Sequence, residues 1–112
     1  MIIEIGEKVH VVERRFFVDD VHRHFIGEVR AVTENAIRIF GYVWVFNHQK
    51  SVFIRRPEKR ERLLILGDRL TINIIPRDVV VADVRYEEDR GTLFITDTKK
   101  FKLDLSEFAK LK

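Results

Sequence analysis

Residues 25–46 read FIGEVRAVTENAIRIFGYVWVF and form the most apolar long stretch of this 112-residue chain. The stretch predicts two strands joined by a turn at residues 33–35, because Thr, Glu and Asn there separate two apolar runs. Side chains alternate across a strand, so the second strand has an aliphatic face and an aromatic face, the latter formed by Phe40, Tyr42, Trp44 and Phe46. Strands of an antiparallel sheet usually keep one polar face. The aromatic face must therefore be covered, by the rest of the chain or by a partner, and we predict an interface with another chain there.

The composition is that of a folded globular domain. Hydrophobic residues make up 46% and charged residues 35% of the chain, and its length favours a single domain over residues 1–112. The absence of cysteine excludes disulfides, thiol chemistry and cysteine-based zinc sites. No basic and apolar leader opens the chain, and no apolar run has the length of a membrane span. We therefore expect a cytoplasmic protein without a membrane partner.

Turn residues divide the chain into about nine short strands, and no long amphipathic helix can be drawn. The predicted strands cover residues 9–18, 24–32, 36–46, 52–55, 62–66, 69–75, 79–87, 92–96 and 101–105, and a final helical turn is expected at 106–110. Gly27 and Gly41 lie inside strands, where glycine marks a bend or a close backbone approach. We interpret them as bends that close a small barrel.

The segment Ile26-Gly27-Glu28-Val29 and the apolar pattern around it resemble the first signature of the Sm-like (LSm) proteins. Residues 71–84, with INIIPRDVVVADV at their heart, are similar to the second signature, an apolar strand followed by a tight turn and another apolar strand. The resemblance covers about residues 9–86. It implies an all-β, strongly bent, small antiparallel barrel of Sm-like or SH3-like type, to which residues 87–112 add a C-terminal β-hairpin and a tail.

Sm-like proteins assemble into rings and bind RNA, so the resemblance also implies self-association. The base-binding residues of the family do not carry over to this chain. Thr33 and Ile37 stand where the first signature has Asp and Asn, and the turn Ile75-Pro76-Arg77-Asp78 lacks the glycine of the second signature.

The positive charge of the chain is concentrated in residues 47–62. This segment holds six basic and two acidic residues, against a net charge of +3 for the whole chain. Basic residues beside aromatic residues are typical of surfaces that bind single-stranded nucleic acid, where cations meet phosphates and rings stack on bases. We predict that the nucleic-acid-binding residues are Lys50, Arg55, Arg56, Lys59, Arg60 and Arg62. The alternative is a solvated loop whose charges pair within the chain.

The sequence also bears on two other kinds of site, a metal site and a catalytic site. His22 and His24 share strand parity with Asp20 and could begin a metal site, for which His10 or His48 would be the remaining histidine. A polar loop explains the same residues, and we assign no metal ligand. No nucleophile with an adjacent base and no glycine-rich phosphate loop is recognisable, so we predict no catalytic residue, no cofactor and no enzymatic activity.

Taken together, these patterns predict a non-catalytic, self-associating Sm-like β-barrel module that forms a homo-oligomer and binds RNA or another nucleic acid through its basic loop. The alternative is a protein-interaction or scaffold barrel with no nucleic-acid ligand, in which the basic loop only solubilises the chain.

Overall fold

The long apolar strand predicted at residues 36–46 lies at the centre of the structure, a computed structural model that describes residues 2–13, 23–67 and 69–105. The described residues form antiparallel strands, a three-residue 3-10 helix at Val81–Asp83 and no α-helix, which confirms the all-β prediction. In chain order the strands are β1 (Lys8–Glu13), β2 (Arg23–Val32), β3 (Ala36–Asn47), β4 (Val52–Arg55), β5 (Arg60–Ile65), β6 (Leu70–Ile75), β7 (Arg85–Asp89), β8 (Thr92–Thr96) and β9 (Lys102–Asp104). No helix in this part of the chain has the length and apolar character needed to cross a membrane.

The strands form two antiparallel sheets. The larger sheet has the order β4-β3-β2-β1-β6, and the smaller sheet has the order β7-β8-β9. Because β3 is 12 residues long, it has room for two partners on the same edge. Its first half pairs with β5, from Ala36 opposite Ile65 to Gly41 opposite Arg60. Its last residues pair with β4, with Trp44 opposite Arg55.

Both faces of the larger sheet are buried, as the apolar pattern of β3 predicts. One face carries an aliphatic cluster of Val9, Val11, Phe25, Val29, Ile37, Ile39 and Val43. The other face packs against the smaller sheet through a cluster of Ile26, Trp44, Phe53, Ile75, Val79, Val84, Leu93, Ile95 and Leu105. Full burial of one such side chain stabilises a protein by about 1.5–3 kcal/mol relative to exposure, so the smaller sheet contributes substantially to the fold.

Gly27 and Gly41 lie directly opposite each other on β2 and β3. A Cβ atom on Gly27 would lie 2.6 Å from Ile39 Cγ2 and 2.7 Å from the Phe40 carbonyl oxygen. A Cβ atom on Gly41 would collide with the Ile26 carbonyl oxygen and with Gly27 Cα. The pair therefore lets two backbones approach closely. The pairings among the described residues join β5 only to β3 and β6 only to β1, so they do not close the larger sheet into a barrel.

The predicted strand over residues 79–87 is wrong in its first half. The chain turns at Pro76, whose carbonyl oxygen accepts the Val79 N–H, and then forms the 3-10 helix before β7 begins at Arg85. Val79 and Val84 are both buried between the sheets. In a strand, side chains that face the same side are an even number of positions apart, so two valines five positions apart would face opposite sides.

The C-terminal segment forms a three-stranded sheet, because β9 pairs with β8 in addition to the predicted β7–β8 hairpin. Several predictions lie outside the described residues: the second half of the 9–18 strand, Asp20, His22 and the helical turn at 106–110.

Candidate nucleic-acid interface

Three exposed cations lie over two aromatic rings on the face of β3 that carries Trp44. The Arg30 guanidinium carbon lies 4.8 Å from the centre of the Phe40 ring, and the Arg55 guanidinium carbon lies 4.2 Å from the centre of the Tyr42 ring. Between them, Lys59 Nζ lies 5.5 Å from Phe40 and 5.7 Å from Tyr42. We call Arg30, Lys59 and Arg55 the cationic strip. Two of these cations, Arg55 and Lys59, belong to the basic segment, which therefore lies partly beside the aromatic residues.

Within the strip, the cations occupy the faces of the rings that a nucleic-acid base would need for stacking. Each cation is attracted to the negative face of the ring by about 0.5–1 kcal/mol at an exposed site. Phe40 and Tyr42 are themselves half-buried. In this arrangement the rings support three exposed cations, and the N–H groups that these cations do not use within the chain can reach phosphate oxygens.

Arg60 and Arg62 lie on the opposite face of the larger sheet. Arg60 and Arg62 pair with Gly41 and Ile39 of β3, and the Ile39 side chain belongs to the aliphatic cluster. The Arg62 guanidinium carbon lies 6.0 Å from the centre of the Phe25 ring. Partial burial lowers the pKa of Arg62, and the positive charges of Arg23 and Arg60 lower it further, while Glu13 acts in the opposite direction. The structure thus divides the predicted binding residues between two faces.

The remaining two predicted residues are exposed and near the strip in sequence. Lys50 lies in the turn between β3 and β4, where its N–H donates to Asn47 Oδ1. Arg56 follows β4, and its N–H donates to the Val43 carbonyl oxygen.

The six predicted binding residues share one electrostatic feature. Among the described residues, none of them has a carboxylate within ion-pairing distance. Elsewhere in the described residues, six cations contact a carboxylate, namely Arg30, Arg38, Arg77, Arg85, Lys99 and Lys100, whereas Lys8, Arg23, Arg90 and Lys102 do not. The charges of residues 50–62 are thus not neutralised by ion pairs among the described residues, which argues against a loop whose charges pair within the chain.

An open groove begins where the strip ends. It has a volume of about 440 Å³ and is lined by Trp44, Arg55, Ala82, Asp83, Val84, Arg85, Asp97, Thr98 and Lys99. Arg55 connects the cationic strip to the groove, since its guanidinium donates to the Ala82 carbonyl oxygen at 3.1 Å. The Asp97 carboxylate faces inward and accepts three backbone N–H groups, from Lys99, Lys100 and Phe101. These bonds lower the pKa of Asp97.

The aromatic face of β3 has a cover within the chain. Trp44 is 7% exposed and belongs to the cluster between the sheets, and Tyr42 and Phe46 pack against that cluster. Tyr86 on β7 supplies part of the cover, 4.9 Å from Trp44 between ring centres. The expectation that the rest of the chain leaves this face uncovered is wrong for Trp44, because residues 79–105 form a complete sheet over it. Phe40 remains at the edge of that cover.

A buried polar cluster lies between the two sheets. His10 and His24 are 0% and 1% exposed, and both contact the Tyr86 hydroxyl. Burial lowers the pKa of His10 to about 4 and raises the pKa of Tyr86 well above its ordinary value. The sequence pattern pointed to His24 in combination with His22, and it missed Tyr86, which is 62 residues away from His24. The only sequence signal for this cluster was the alternation of side chains along the strand, which places His10 on the face opposite Val9 and Val11.

Metal ligands of the common types are not grouped elsewhere. In residues 2–13, 23–67 and 69–105, no set of three or more His, Cys, Asp or Glu side chains is placed to hold a metal ion.

The chain was compared with protein-family models, with curated proteins and with solved structures, and none of them matches it.

Proposed function

We propose that this protein is a non-catalytic nucleic-acid-binding module that holds single-stranded RNA by its phosphates. The observation that carries the proposal is the cationic strip, in which Arg55 and Lys59 lie exposed over aromatic rings and have no carboxylate within ion-pairing distance among the described residues. The cationic strip forms the binding surface. Arg55 and Lys59 provide its unpaired charges, whereas Arg30 shares its charge with Glu28 at 3.4 Å.

Binding through this strip would be electrostatic and tolerant of sequence. Phosphate contacts position a nucleic acid but carry no sequence information directly. Each neutralised phosphate releases condensed counterions, so affinity falls as salt concentration rises. Since Phe40 and Tyr42 already pack against cations, base stacking would add little, and we expect weak discrimination between bases.

Charge reversal within the strip tests this surface. We expect the double variant Arg55→Glu, Lys59→Glu to bind single-stranded RNA at least roughly tenfold more weakly than the wild-type protein at low salt, because two phosphate contacts become repulsive. Fluorescence polarisation with a labelled oligonucleotide of mixed sequence, repeated over a salt series, measures both the affinity and its salt dependence. The salt dependence should become shallower in the variant.

The chain offers a matched control. The double variant Arg60→Glu, Arg62→Glu makes the same change in net charge in the same segment, but on the opposite face of the larger sheet. It should bind within about threefold of the wild-type protein if the strip is the site, because only long-range repulsion acts. Equal losses in both variants would show attraction to net charge rather than to the strip. Failure of the wild-type protein to bind at low salt would exclude the nucleic-acid function.

We further propose that the larger sheet is the curled sheet of a small Sm-like or SH3-like barrel. Its two flanking strands, β5 and β6, are consecutive in the chain, and β5 ends at Ile65 only a few residues before β6 begins at Leu70. So short a connection holds the two flanks of the sheet near each other, which supports a strongly curved sheet. The Gly27–Gly41 contact, where a side chain would collide, supports the same curvature.

Self-association is the second part of the proposal. Within the described residues, β5 and β6 each pair on one side only, so each offers an open edge to another strand. Exposed apolar side chains lie on both strands: Leu63 is 62%, Ile65 68% and Ile74 52% exposed. Pairing β5 of one copy with β6 of the next is a head-to-tail contact, which closes into a ring if the rotation permits. If RNA does not bind, the same edges support the alternative of a protein-interaction scaffold.

The oligomeric state tests these edges. We expect the wild-type protein to sediment as a defined oligomer, and the variant Leu63→Asp, Ile65→Asp to sediment as a monomer, because charges on β5 oppose the pairing of its edge. The variant Val52→Asp, on the exposed strand β4, is the control and should keep the wild-type assembly. A wild-type monomer at the highest attainable concentration would contradict the self-association proposal.

A further inference from the structure

Three donor atoms from both sheets meet at one point in the interior. They are His10 Nε2 on β1, His24 Nδ1 on β2 and the Tyr86 hydroxyl oxygen on β7. The two nitrogens are 3.2 Å apart, and the oxygen lies 3.0 Å from His10 Nε2 and 2.5 Å from His24 Nδ1. We propose that these three groups bind a divalent transition-metal ion of the zinc type, a function separate from the nucleic-acid surface.

The spacing of the donors fits such an ion. Zinc binds imidazole nitrogen and oxygen ligands at about 2.0–2.2 Å in a tetrahedral arrangement, so neighbouring ligands are roughly 3.3 Å apart. The nitrogen–nitrogen distance and the distance from His10 to the hydroxyl are close to this value. Only the contact between His24 and the hydroxyl, at 2.5 Å, would have to lengthen. The fourth position of the tetrahedron would be held by water, as in zinc sites with three protein ligands.

Without a metal, two hydrogen bonds can join the three groups: His10 Nε2–H donates to the Tyr86 hydroxyl, and that hydroxyl donates to His24 Nδ1. A neutral imidazole nitrogen either donates or accepts a hydrogen bond, and only a hydroxyl does both. If each pair of these atoms were joined by its own hydrogen bond, each of the three atoms would have to donate one hydrogen bond and accept another. The third contact, between the two ring nitrogens at 3.2 Å, can then only share the His10 Nε2–H proton. A cation bonded to all three atoms would use all three lone pairs at once.

Asn73 on β6 can fix His10 in the form that a metal requires. Its side-chain amide nitrogen Nδ2 lies 3.1 Å from His10 Nδ1, so binding a metal through Nε2 requires the amide to turn over. The amide oxygen and nitrogen exchange places by rotation of the side chain and are assigned from the hydrogen-bond network. When the Asn73 amide oxygen faces His10, it accepts a hydrogen bond from Nδ1–H. The Nε2 lone pair of His10 then points at the cluster. A hydrogen bond to the second nitrogen of this kind orients most metal-binding histidines.

The surroundings suit a structural ion. The Tyr86 ring stacks on Phe53 at 4.4 Å and lies 4.9 Å from Trp44 between ring centres, so the site is enclosed by aromatic side chains. On binding, the phenol would release its proton to solvent, and the phenolate would offset one charge of the ion. Because Tyr86 belongs to the smaller sheet and both histidines belong to the larger one, the ion would join the two sheets.

The test uses full-length, tag-free protein stripped with a chelator and then loaded with Zn²⁺. The wild-type protein should retain one equivalent after desalting, and its Tm should rise by several degrees, because a ligand that binds only the folded state stabilises it. The variant Tyr86→Phe keeps the ring that packs on Phe53 and Trp44 but removes the oxygen donor. Its zinc affinity should fall at least roughly tenfold, since loss of even an outer partner commonly costs that much. The control His48→Gln changes an exposed histidine in a turn and should retain zinc like the wild-type protein.

Cobalt gives a readout that does not depend on any variant folding. Wild-type protein loaded with Co²⁺ should show the strong visible absorption of a four-coordinate ion. The proposal is overturned if that spectrum is only the weak one of the hydrated ion, or if Tyr86→Phe retains as much zinc as the wild-type protein. Loss of zinc in His48→Gln would place the site elsewhere and equally overturn it.

Discussion

Replacing Gly41 by alanine should destabilise the protein by about 3 kcal/mol or more, at the upper end of the range for overpacking a well-packed interior. The new Cβ atom would meet the Ile26 carbonyl oxygen and Gly27 Cα on the neighbouring strand. Both are backbone atoms, so no rotation of a side chain can relieve the collision. To make room, β2 and β3 would have to separate at the centre of the larger sheet. Urea unfolding followed by circular dichroism measures the loss as a lower midpoint at unchanged slope.

Gly67→Ala is the matched control for this substitution. A Cβ atom on Gly67 would meet no atom within 4 Å. Its stability should therefore lie within about 0.5 kcal/mol of the wild-type value, as for other open surface positions. Similar midpoints for the two variants would show that the larger sheet has more room between β2 and β3 than the Gly27–Gly41 contact indicates.

Acidification from pH 7 to pH 4 in metal-free buffer should cost about 3 kcal/mol of folding free energy through His10 alone. Burial lowers its pKa from 6.5 to about 4 in the folded protein. Between these two values the unfolded chain binds a proton that the folded chain does not. The contribution of neutral His10 is therefore fully present above pH 6.5, falls as the pH drops through this window, and is lost below about 4. Urea unfolding at a series of pH values measures this slope.

The lowered pKa of Asp97 means that its contribution is lost only below its ordinary value of 3.8. A wild-type stability that stays flat between pH 6.5 and 4 would contradict the burial of His10 as a neutral group.

The cationic strip shows how far the sequence predicts a site. The excess of Lys and Arg in residues 47–62 is visible by counting, and so is the aromatic run beside it. Which of these cations share a face depends on register, because β5 pairs with β3 so that Arg60 and Arg62 fall opposite Gly41 and Ile39. A shift of one residue would have moved both to the other face. Counting therefore predicts the segment, and only strand pairing separates the strip from the opposite cluster.

The buried cluster of His10, His24 and Tyr86 illustrates the opposite limit. Nothing in local spacing connects Tyr86 to either histidine, because the contact forms only when the smaller sheet packs on the larger one. The strand predicted over residues 79–87 failed for a related reason. Its valines satisfy a strand propensity locally, but Val79 and Val84 are both needed in the core between the sheets, and tertiary packing overrides the propensity.

Residues 25–46 alone predicted two strands joined by a turn, the second of them apolar on both faces and in need of a cover on each. That information is local, because alternation and turn chemistry act over a few residues. The tertiary structure decided what covers the second face. Residues 79–105 form that cover, so Trp44 is part of the interior. Contacts between strands far apart in the chain depend on packing and register, which no single stretch of sequence contains.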